Sequence, residues 1–302
     1  MKRVVITGAR GFIGQQALQY LDKEDFEIHC VTRDKGGESN HHDVIWHITD
    51  LLNATESYDL FSSVRPSHLL HFAWYTEPGK YWTSERNLDW INASLLMLKH
   101  FIKFKGERVI FAGTCAEYDW SYGFCSENVT PERPRTLYGV SKNSLRQVSE
   151  SFCTQNDVSF SWGRIFFLYG PNEHPSRLVS SVITSLLKDE QAKVTHGRQI
   201  RDFLYSEDVA SAMVALLDSD VEGTVNIGSG VPVSIRDVVN KISSKIGKSE
   251  LIKYGINRIP KDDPPLIVAD VRRLNEEVGW KQKYSLDVGL DKTIEWWKKK
   301  LA

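Results

Sequence analysis

Three side chains in the middle of the sequence have the types and the order needed for acid–base chemistry at a sugar or alcohol oxygen. They are Thr114, which ends an apolar run, and Tyr138 and Lys142, which are one helical turn apart. A free phenol is a poor acid or base at neutral pH, because its reference pKa is roughly 10. We expect the Lys142 ammonium to lower the pKa of Tyr138, so that the phenol can exchange a proton with a substrate oxygen. The Thr114 hydroxyl would hold the same oxygen in place.

The sequence pattern predicts that a strand and a helix carry these three residues. Residues 109–112 are apolar and lead to Thr114, as a buried strand would. Tyr138 opens a stretch whose apolar residues recur at helical spacing as far as residue 152. A Tyr-x-x-x-Lys pair alone occurs often by chance. Its weight here comes from chain order, since it follows a glycine-rich turn and then the strand that ends at Thr114.

The glycine-rich turn lies near the start of the chain. It follows the β-branched run at residues 4–6 and precedes residues 15–21, whose apolar positions repeat at helical spacing. Strand, glycine turn and helix together form the arrangement that holds the pyrophosphate of a dinucleotide. The glycines are spaced Gly-x-x-Gly-x-x-Gly, so a tight turn that binds nothing stays an alternative. The residues predicted to bind the dinucleotide here are Gly8, Arg10, Gly11, Phe12, Ile13 and Gly14.

The end of the second predicted strand, residues 27–32, bears on the choice of cofactor. An acid at this place bonds the ribose 2′-hydroxyl of NAD. This chain has Thr32 and Arg33 there, and Arg10 lies in the glycine turn. Two guanidinium groups would suit a 2′-phosphate, which predicts NADP(H), with NAD as a possible cofactor. Two solvated surface arginines are the alternative interpretation.

Further candidate ligand contacts follow the next two predicted strands. Asp50 and Leu51 are placed to meet an adenine edge, and the small Ala73 ends a strand where a cofactor would pass closely. Residues 74–90 form a long irregular loop that contains five aromatic side chains, of which Trp74 is the predicted substrate contact. Loops at this end of a parallel sheet bind ligands. Stacking on a base or sugar and covering the core explain these aromatic residues about equally well.

Bulk composition restricts the class of protein. The 302 residues include 38 basic and 39 acidic ones, and this balance gives no support to nucleic-acid or membrane binding. No apolar run approaches the roughly 18 residues of a membrane span. The first predicted strand begins at residue 3 or 4, so we expect no signal peptide. The four scattered cysteines suggest neither a metal site nor disulfides, which fits a cytoplasmic protein.

Taken in chain order, these motifs resemble the extended short-chain dehydrogenase/reductase family, in its nucleotide-sugar epimerase, dehydratase and reductase branch. The resemblance covers essentially the whole chain. The matching segments are residues 7–14, 71–73, Asn92, Thr114, 138–142, 169–171, 201–203, 226–228 and 279–280. The fold implied is α/β, a Rossmann-type doubly wound parallel sheet with a smaller C-terminal α/β substrate-binding region. Residues 1–170 would bind the dinucleotide, with 200–228 contributing, and residues 171–302 would mainly bind a nucleotide sugar.

The resemblance also implies a role for individual residues. Tyr138 would be the catalytic acid and base, Lys142 its partner and a ribose ligand, and Thr114 a hydrogen-bonding group for the substrate. Arg201 would bind the diphosphate of a nucleoside-diphosphate sugar. The other residues implied are Phe72, Ala73 and Asn92 for the cofactor and Asn172 and Arg177 for the substrate. Helices over residues 92–104 and 138–155 would form a homodimer surface.

The residues after Thr114 bear on the reaction. The 4,6-dehydratases of the family have an Asp-Glu pair there, whereas this chain has Cys115 and Ala116, which cannot eliminate water. A 4-ketoreductase or an NAD-dependent 4-epimerase remains. The arginines Arg10 and Arg33 favour a reductase of a dTDP-, GDP- or CDP-linked 4-keto-6-deoxy sugar in deoxysugar and surface polysaccharide biosynthesis. A dinucleotide-binding regulator is less favoured, because such proteins typically lose the Tyr or the Lys.

Overall fold

The computed structural model describes residues 1–34, 43–258 and 263–302; residues 35–42 of one predicted loop and Lys261 and Asp262 of another lie outside these ranges. The strands are β1 (Lys2–Thr7), β2 (Phe26–Thr32), β3 (Ile45–Ile48), β4 (His68–His71), β5 (Arg108–Thr114), β6 (Phe124–Cys125), β7 (Ser159–Ile165), β8 (Phe167–Tyr169), β9 (Ala192–Lys193), β10 (Ile200–Tyr205), β11 (Gly223–Ile227), β12 (Pro232–Ser234), β13 (Ile252–Lys253) and β14 (Leu266–Ala269). The α-helices are α1 (Gly14–Ala17), α2 (Ala54–Val64), α3 (Arg86–Lys103), α4 (Leu137–Thr154), α5 (Leu178–Leu187), α6 (Ser206–Asp218), α7 (Ile235–Ile246) and α8 (Leu286–Leu301).

Seven parallel strands form the large sheet, in the order β11-β7-β5-β4-β1-β2-β3. β1 lies inside the sheet, and the chain proceeds outward from it in both directions. The strand order therefore reverses between β1 and β4, and the crevice beyond the carboxyl ends of these two strands is where such sheets bind ligands. The predicted Rossmann-type doubly wound sheet is confirmed.

Both faces of this sheet are covered, which explains the continuous apolar runs in its strands. Val4 and Ile6 of β1 pack in one core with residues of α1 and α6. Val5, between them in sequence, packs in a second core with residues of α2, α3 and α4. Adjacent strand residues point to opposite faces, so a strand buried on both sides has no polar alternation.

A smaller sheet follows the order β12-β10-β14-β6, and β8 pairs with β10. Helices α5, α7 and α8 cover it with a core of their own. The strand predicted over residues 160–168 divides here: β7 belongs to the large sheet and β8 to the small one, with Phe166 at the crossing. Within residues 200–228, β11 is an edge strand of the large sheet and α6 packs in the core beneath that sheet, whereas β10 belongs to the small sheet. The wider domain division stays a prediction.

The first helix is shorter than the sequence suggested. A helix was expected over residues 15–21, but α1 ends at Ala17 and the chain continues in turns closed by i to i−3 bonds, such as Tyr20 N–H to Ala17 O at 3.1 Å. A 3₁₀-type turn repeats every three residues, so its apolar spacing over two turns resembles that of an α-helix.

Candidate active site

The structure brings Thr114 and Tyr138 together. Thr114 ends β5, and Tyr138 is in the first turn of α4, where the Thr136 hydroxyl accepts a hydrogen bond from the Gly139 amide at 3.1 Å. A Cβ on Gly139 would lie 2.4 Å from the Ala116 carbonyl oxygen, so α4 begins in direct contact with the segment after β5. The Thr114 side chain lies close enough to the Tyr138 phenol to act on its pKa.

Lys142 lies beneath this pair and is buried. Its Nζ donates a hydrogen bond to the Ala112 carbonyl at 2.9 Å and lies 3.8 Å from the centre of the Trp74 ring. Burial lowers the pKa of Lys142 to about 7, and the negative charge of Glu117 opposes that change. The ammonium is thus held by a carbonyl dipole and a ring face rather than by a direct ion pair.

The pKa of Tyr138 lies above its ordinary value, and the expectation that it would be lowered is wrong for this structure. Burial is the main cause, and the nearby Tyr81 phenol adds to it, whereas the Thr114 side chain acts in the opposite direction. The Lys142 ammonium, bonded to Ala112, does not offset the desolvation of the phenol. Tyr138 is therefore protonated at neutral pH, as a proton donor must be, but its burial makes the phenol a weaker acid than a free tyrosine.

Aromatic side chains surround the Tyr138 ring, and we call them the aromatic wall. Tyr81 and Trp82 meet that ring edge to face, with centroids 4.8 and 5.7 Å away. Trp120 lies 6.2 Å from Trp82 and donates its indole N–H to the Cys115 carbonyl at 2.8 Å. The aromatic wall consists of Trp74, Tyr75, Tyr81, Trp82 and Trp120, and Ala116 and Tyr138 pack with it.

Asn87 anchors the loop that supplies most of the aromatic wall. This residue of α3 is fully buried and accepts a hydrogen bond from the Trp74 indole N–H at 2.9 Å. Its amide nitrogen donates to the Tyr81 and Ser84 carbonyls, both at 2.8 Å. An internal polar side chain therefore fixes Trp74 and Tyr81 relative to α3.

The glycine turn fits a dinucleotide. Gly8 has φ +67°, and a Cβ there would lie 2.8 Å from the Ala73 amide nitrogen at the end of β4. A Cβ on Gly14 would lie 2.2 Å from the Gly8 carbonyl oxygen, and the Gly11 amide donates to that same oxygen at 2.8 Å. The turn is bare backbone at the reversal of strand order, with half-buried Phe12, Ile13, Phe72 and Ala73 beside it. Such a turn permits the close approach that a pyrophosphate needs.

The residues predicted near the cofactor ribose and base lie at the neighbouring strand ends. The Arg10 guanidinium lies over the Trp46 ring of β3 at 4.9 Å. Arg33 directly follows β2 and is exposed, as Arg10 is. The Asp50 carboxylate accepts a hydrogen bond from the Leu52 amide at 3.1 Å, and Leu51 is buried. The structure thus places both arginines near strands β2 and β3 at one side of the large sheet.

Asn92 and His71 differ in their surroundings. Asn92 is exposed on α3, whereas Ser94 on the same helix is buried and lies 2.9 Å from His71 Nε2. His71 Nδ1 lies 2.6 Å from the Thr7 hydroxyl. Burial, helped by Lys142, holds the pKa of His71 well below its ordinary value. Both ring nitrogens have hydroxyl partners, so His71 is a neutral core residue that joins β1, β4 and α3.

The predicted substrate residues lie in the second half of the chain. Arg201 on β10 is buried and pairs with Asp263 at 2.6 Å. Arg177, which precedes α5, contacts the Tyr81 hydroxyl at 3.5 Å and lies over its ring at 5.2 Å. Asn172 is exposed in a left-handed turn at φ +68°. Arg177 is therefore connected to Tyr138 through one aromatic ring, while Arg201 already has an acidic partner.

Sequence reasoning assigned no role to Glu117, a buried carboxylate that contacts the Thr114 backbone. One signal was available: Arg164 is a charge inside the otherwise buried strand β7 and requires a buried partner.

Among the described residues, no group of three or more His, Cys, Asp or Glu side chains is arranged to hold a metal ion. In the same ranges, every helix is too short or too polar to cross a bilayer.

Comparison with known proteins identifies the family. The model of the NAD dependent epimerase/dehydratase family matches residues 4–228. The chain belongs to this family.

Individual relatives are similar to almost the whole of this chain. UDP-glucuronic acid decarboxylase 1 of Xenopus tropicalis is 29% identical over 311 residues, which cover 99% of this chain and 73% of the relative. CDP-abequose synthase of Salmonella typhimurium is 25% identical over 307 residues, 97% of each chain. The solved structure of MoeE5 in complex with UDP-glucose and NAD is 27% identical, with a TM-score of 0.87, and the match covers 99% of this chain and 100% of MoeE5.

Proposed function

We propose that the protein is an NAD(P)H-dependent 4-ketoreductase of a nucleotide-linked 4-keto-6-deoxy sugar. The observation that carries the proposal is the Thr114–Tyr138 pair above a buried Lys142, with no carboxylate in the two positions after Thr114. These groups suffice to move a proton at one oxygen. They do not suffice for a water elimination, which needs a second acid and base.

The chain's own groups divide the work of such a reduction. A dinucleotide whose pyrophosphate lies at the glycine turn would supply the hydride, from its nicotinamide, to the carbonyl carbon. Tyr138, whose raised pKa keeps it protonated, donates its proton to the oxygen that becomes a hydroxyl. Thr114 donates a hydrogen bond to the same oxygen and orients it. The positive charge of Lys142 would favour the phenolate left on Tyr138, although it does not outweigh the burial of the phenol in this structure.

The aromatic wall favours a deoxygenated sugar. Ala116, Tyr81 and Trp82 present apolar surface around the Tyr138 ring, and no ion pair lies among them. A methyl group buries well against such rings, whereas a hydroxymethyl or carboxylate group would lose hydrogen bonds with water. This supports a 6-deoxy sugar over a hexose, whereas the carboxylate of a uronic acid could pair with Arg177, which lies over the Tyr81 ring.

The cofactor preference gives a first prediction. We expect Arg33→Ala to raise the Kd for NADPH about tenfold, the effect of one lost charge-assisted hydrogen bond, and to leave the Kd for NADH within about twofold. Fluorescence titration of purified protein with both cofactors measures this. Arg198→Ala, at an exposed arginine of the C-terminal half, is the control and leaves both values unchanged. Equal weakening of NADH and NADPH would contradict the assignment of NADP(H).

A 4-epimerase is the second candidate, favoured by the family match itself and by the NAD bound in the MoeE5 structure. One experiment separates the two. Purified protein is incubated with dTDP-, GDP- or CDP-linked 4-keto-6-deoxyhexoses and NADPH, and in parallel with UDP-glucose without added cofactor. A reductase consumes one NADPH per product. An epimerase converts UDP-glucose with no net oxidation and releases NAD only on denaturation.

A homodimer and a cytoplasmic location remain predictions.

A further inference from the structure

A carboxylate lies directly behind the Thr114–Tyr138 pair. Glu117 is in the short 3₁₀ helix that follows β5, and its side chain is fully buried. It accepts a hydrogen bond from the Thr114 backbone amide at 2.8 Å, while the Thr114 hydroxyl oxygen accepts one from the Ala116 amide at 3.2 Å. The backbone and the side-chain oxygen of Thr114 are both fixed, and the hydroxyl proton stays available for a partner.

Buried donors occupy both oxygens of Glu117. Arg164 Nε donates to one oxygen at 2.6 Å, and the Trp162 indole N–H donates to both, at 2.9 and 3.0 Å. The Arg164 side chain is as fully buried as that of Glu117, and its other end bonds Glu132. A buried carboxylate is tolerated only with such partners, and removing one member of a buried ion pair is strongly destabilising.

The position before Thr114 is adapted to this arrangement. A Cβ on Gly113 would lie 2.0 Å from the Trp162 indole nitrogen. Only glycine there allows the indole to lie against β5 and donate to Glu117. The centre of the Trp162 ring is also 5.8 Å from Lys142 Nζ. The same indole therefore lies between Glu117, to which it donates, and Lys142.

The charge of Glu117 acts on Lys142. Burial lowers the pKa of Lys142, and Glu117 is the carboxylate that raises it. His71 is neutral at this depth and adds no charge of its own. The groups that face Lys142 are the Ala112 carbonyl on β5, the rings of Trp74 and Trp162, His71 on β4, Tyr138 on its own helix and Glu117.

We propose that Glu117 is a positioning residue of the active site, which holds the Thr114 hydroxyl at Tyr138 and balances the charge of Lys142. It is not a proton donor or acceptor for substrate, because protein donors occupy both of its oxygens. This role rests on the functions proposed above for Thr114, Tyr138 and Lys142.

The first measurement needs no substrate. The indole NMR signal of Trp74, assigned with Trp74→Phe, is followed against pH, since the ring lies 3.8 Å from Lys142 Nζ. We expect a transition at about pH 7 that is absent in Lys142→Met. Glu117→Gln removes the charge but keeps the shape, and its transition moves to lower pH by about one unit. Glu132→Gln, which removes the other carboxylate on Arg164, leaves the midpoint unchanged.

The second measurement is kinetic and uses the nucleotide-linked 4-keto-6-deoxyhexoses with NADPH. We expect Glu117→Gln to lower kcat about 10- to 100-fold, since a displaced Thr114 hydroxyl weakens orientation, with KM within about threefold. The alkaline limb of kcat moves to lower pH, because Lys142 loses its proton earlier without the carboxylate. Glu132→Gln keeps both kcat and the limb.

Two results would overturn the proposal. The first is a folded Glu117→Gln variant whose NMR midpoint and kcat both equal those of the wild type. The second is an equal loss of kcat in Glu117→Gln and Glu132→Gln with an unchanged NMR midpoint, which would show that Glu117 has only a structural role. If Glu117→Gln does not fold, Glu117→Gln combined with Arg164→Gln leaves no unpaired buried charge between them and is tested in the same way. A wild-type protein that oxidises no NADPH with these sugars would instead refute the proposed function, while the NMR measurement would still test Glu117.

Discussion

Tyr138→Phe is expected to lower kcat about a thousandfold, the range that a positioned general acid contributes. The phenol hydroxyl is the group that we propose protonates the substrate oxygen, and it faces the Thr114 side chain. The ring keeps its edge-to-face contacts with Tyr81 and Trp82, so the fold is retained. NADPH oxidation measures turnover, and cofactor titration shows whether the binding site is intact.

The matched control is Tyr254→Phe. This tyrosine, in the C-terminal region, loses a hydroxyl that donates to the Asn240 side chain at 2.7 Å, and its turnover should equal that of the wild type. Cofactor binding unchanged in Tyr138→Phe together with lost turnover supports an enzyme. Turnover within tenfold of wild type in Tyr138→Phe would exclude Tyr138 as the acid. Cofactor binding without turnover in the wild type would instead support the interpretation as a dinucleotide-binding regulator.

Gly8→Ala is expected to lower the free energy of unfolding by about 3 kcal/mol and to abolish cofactor binding. Two effects combine at this position. Its φ of +67° is unfavourable for any side chain, and the new methyl group would lie 2.8 Å from the Ala73 backbone nitrogen. That backbone cannot move without shifting β4, which carries the core residue His71. Urea denaturation measures stability, and fluorescence titration with NADH and NADPH measures binding.

Gly79→Ala separates the two effects. Gly79 has a similar φ of +77°, but nothing lies within 4 Å of the added Cβ. We expect a loss of about 1 kcal/mol from the backbone conformation alone, with cofactor binding intact. An equal decrease in the free energy of unfolding for the two substitutions would show that the close contact between the turn and β4 does not contribute to the cost of Gly8→Ala.

The sequence by itself determined the buried strands of the parallel sheet and the spacing of the candidate residues Tyr138 and Lys142. Residues 4–6 are uniformly apolar because β1 has a core on each face, and a run of three such residues shows this without knowledge of their partners. Tyr138 and Lys142 share a helix face because four residues make about one turn. The spacing of the glycines marked the turn after β1 in the sequence, and the structure gives the reason: a Cβ at position 8 or 14 would collide with neighbouring backbone.

Only the tertiary structure decided the surroundings of these residues. Glu117 meets Arg164, 47 positions later, and Arg201 meets Asp263, 62 positions later. The raised pKa of Tyr138 depends on burial by a loop from elsewhere in the chain, so the Lys142 neighbour alone gave the wrong direction. Spacing along the chain fixes which residues share a strand or helix face, because those relations are local. Burial, ion pairing and desolvation depend on segments distant in sequence, and no local pattern encodes them.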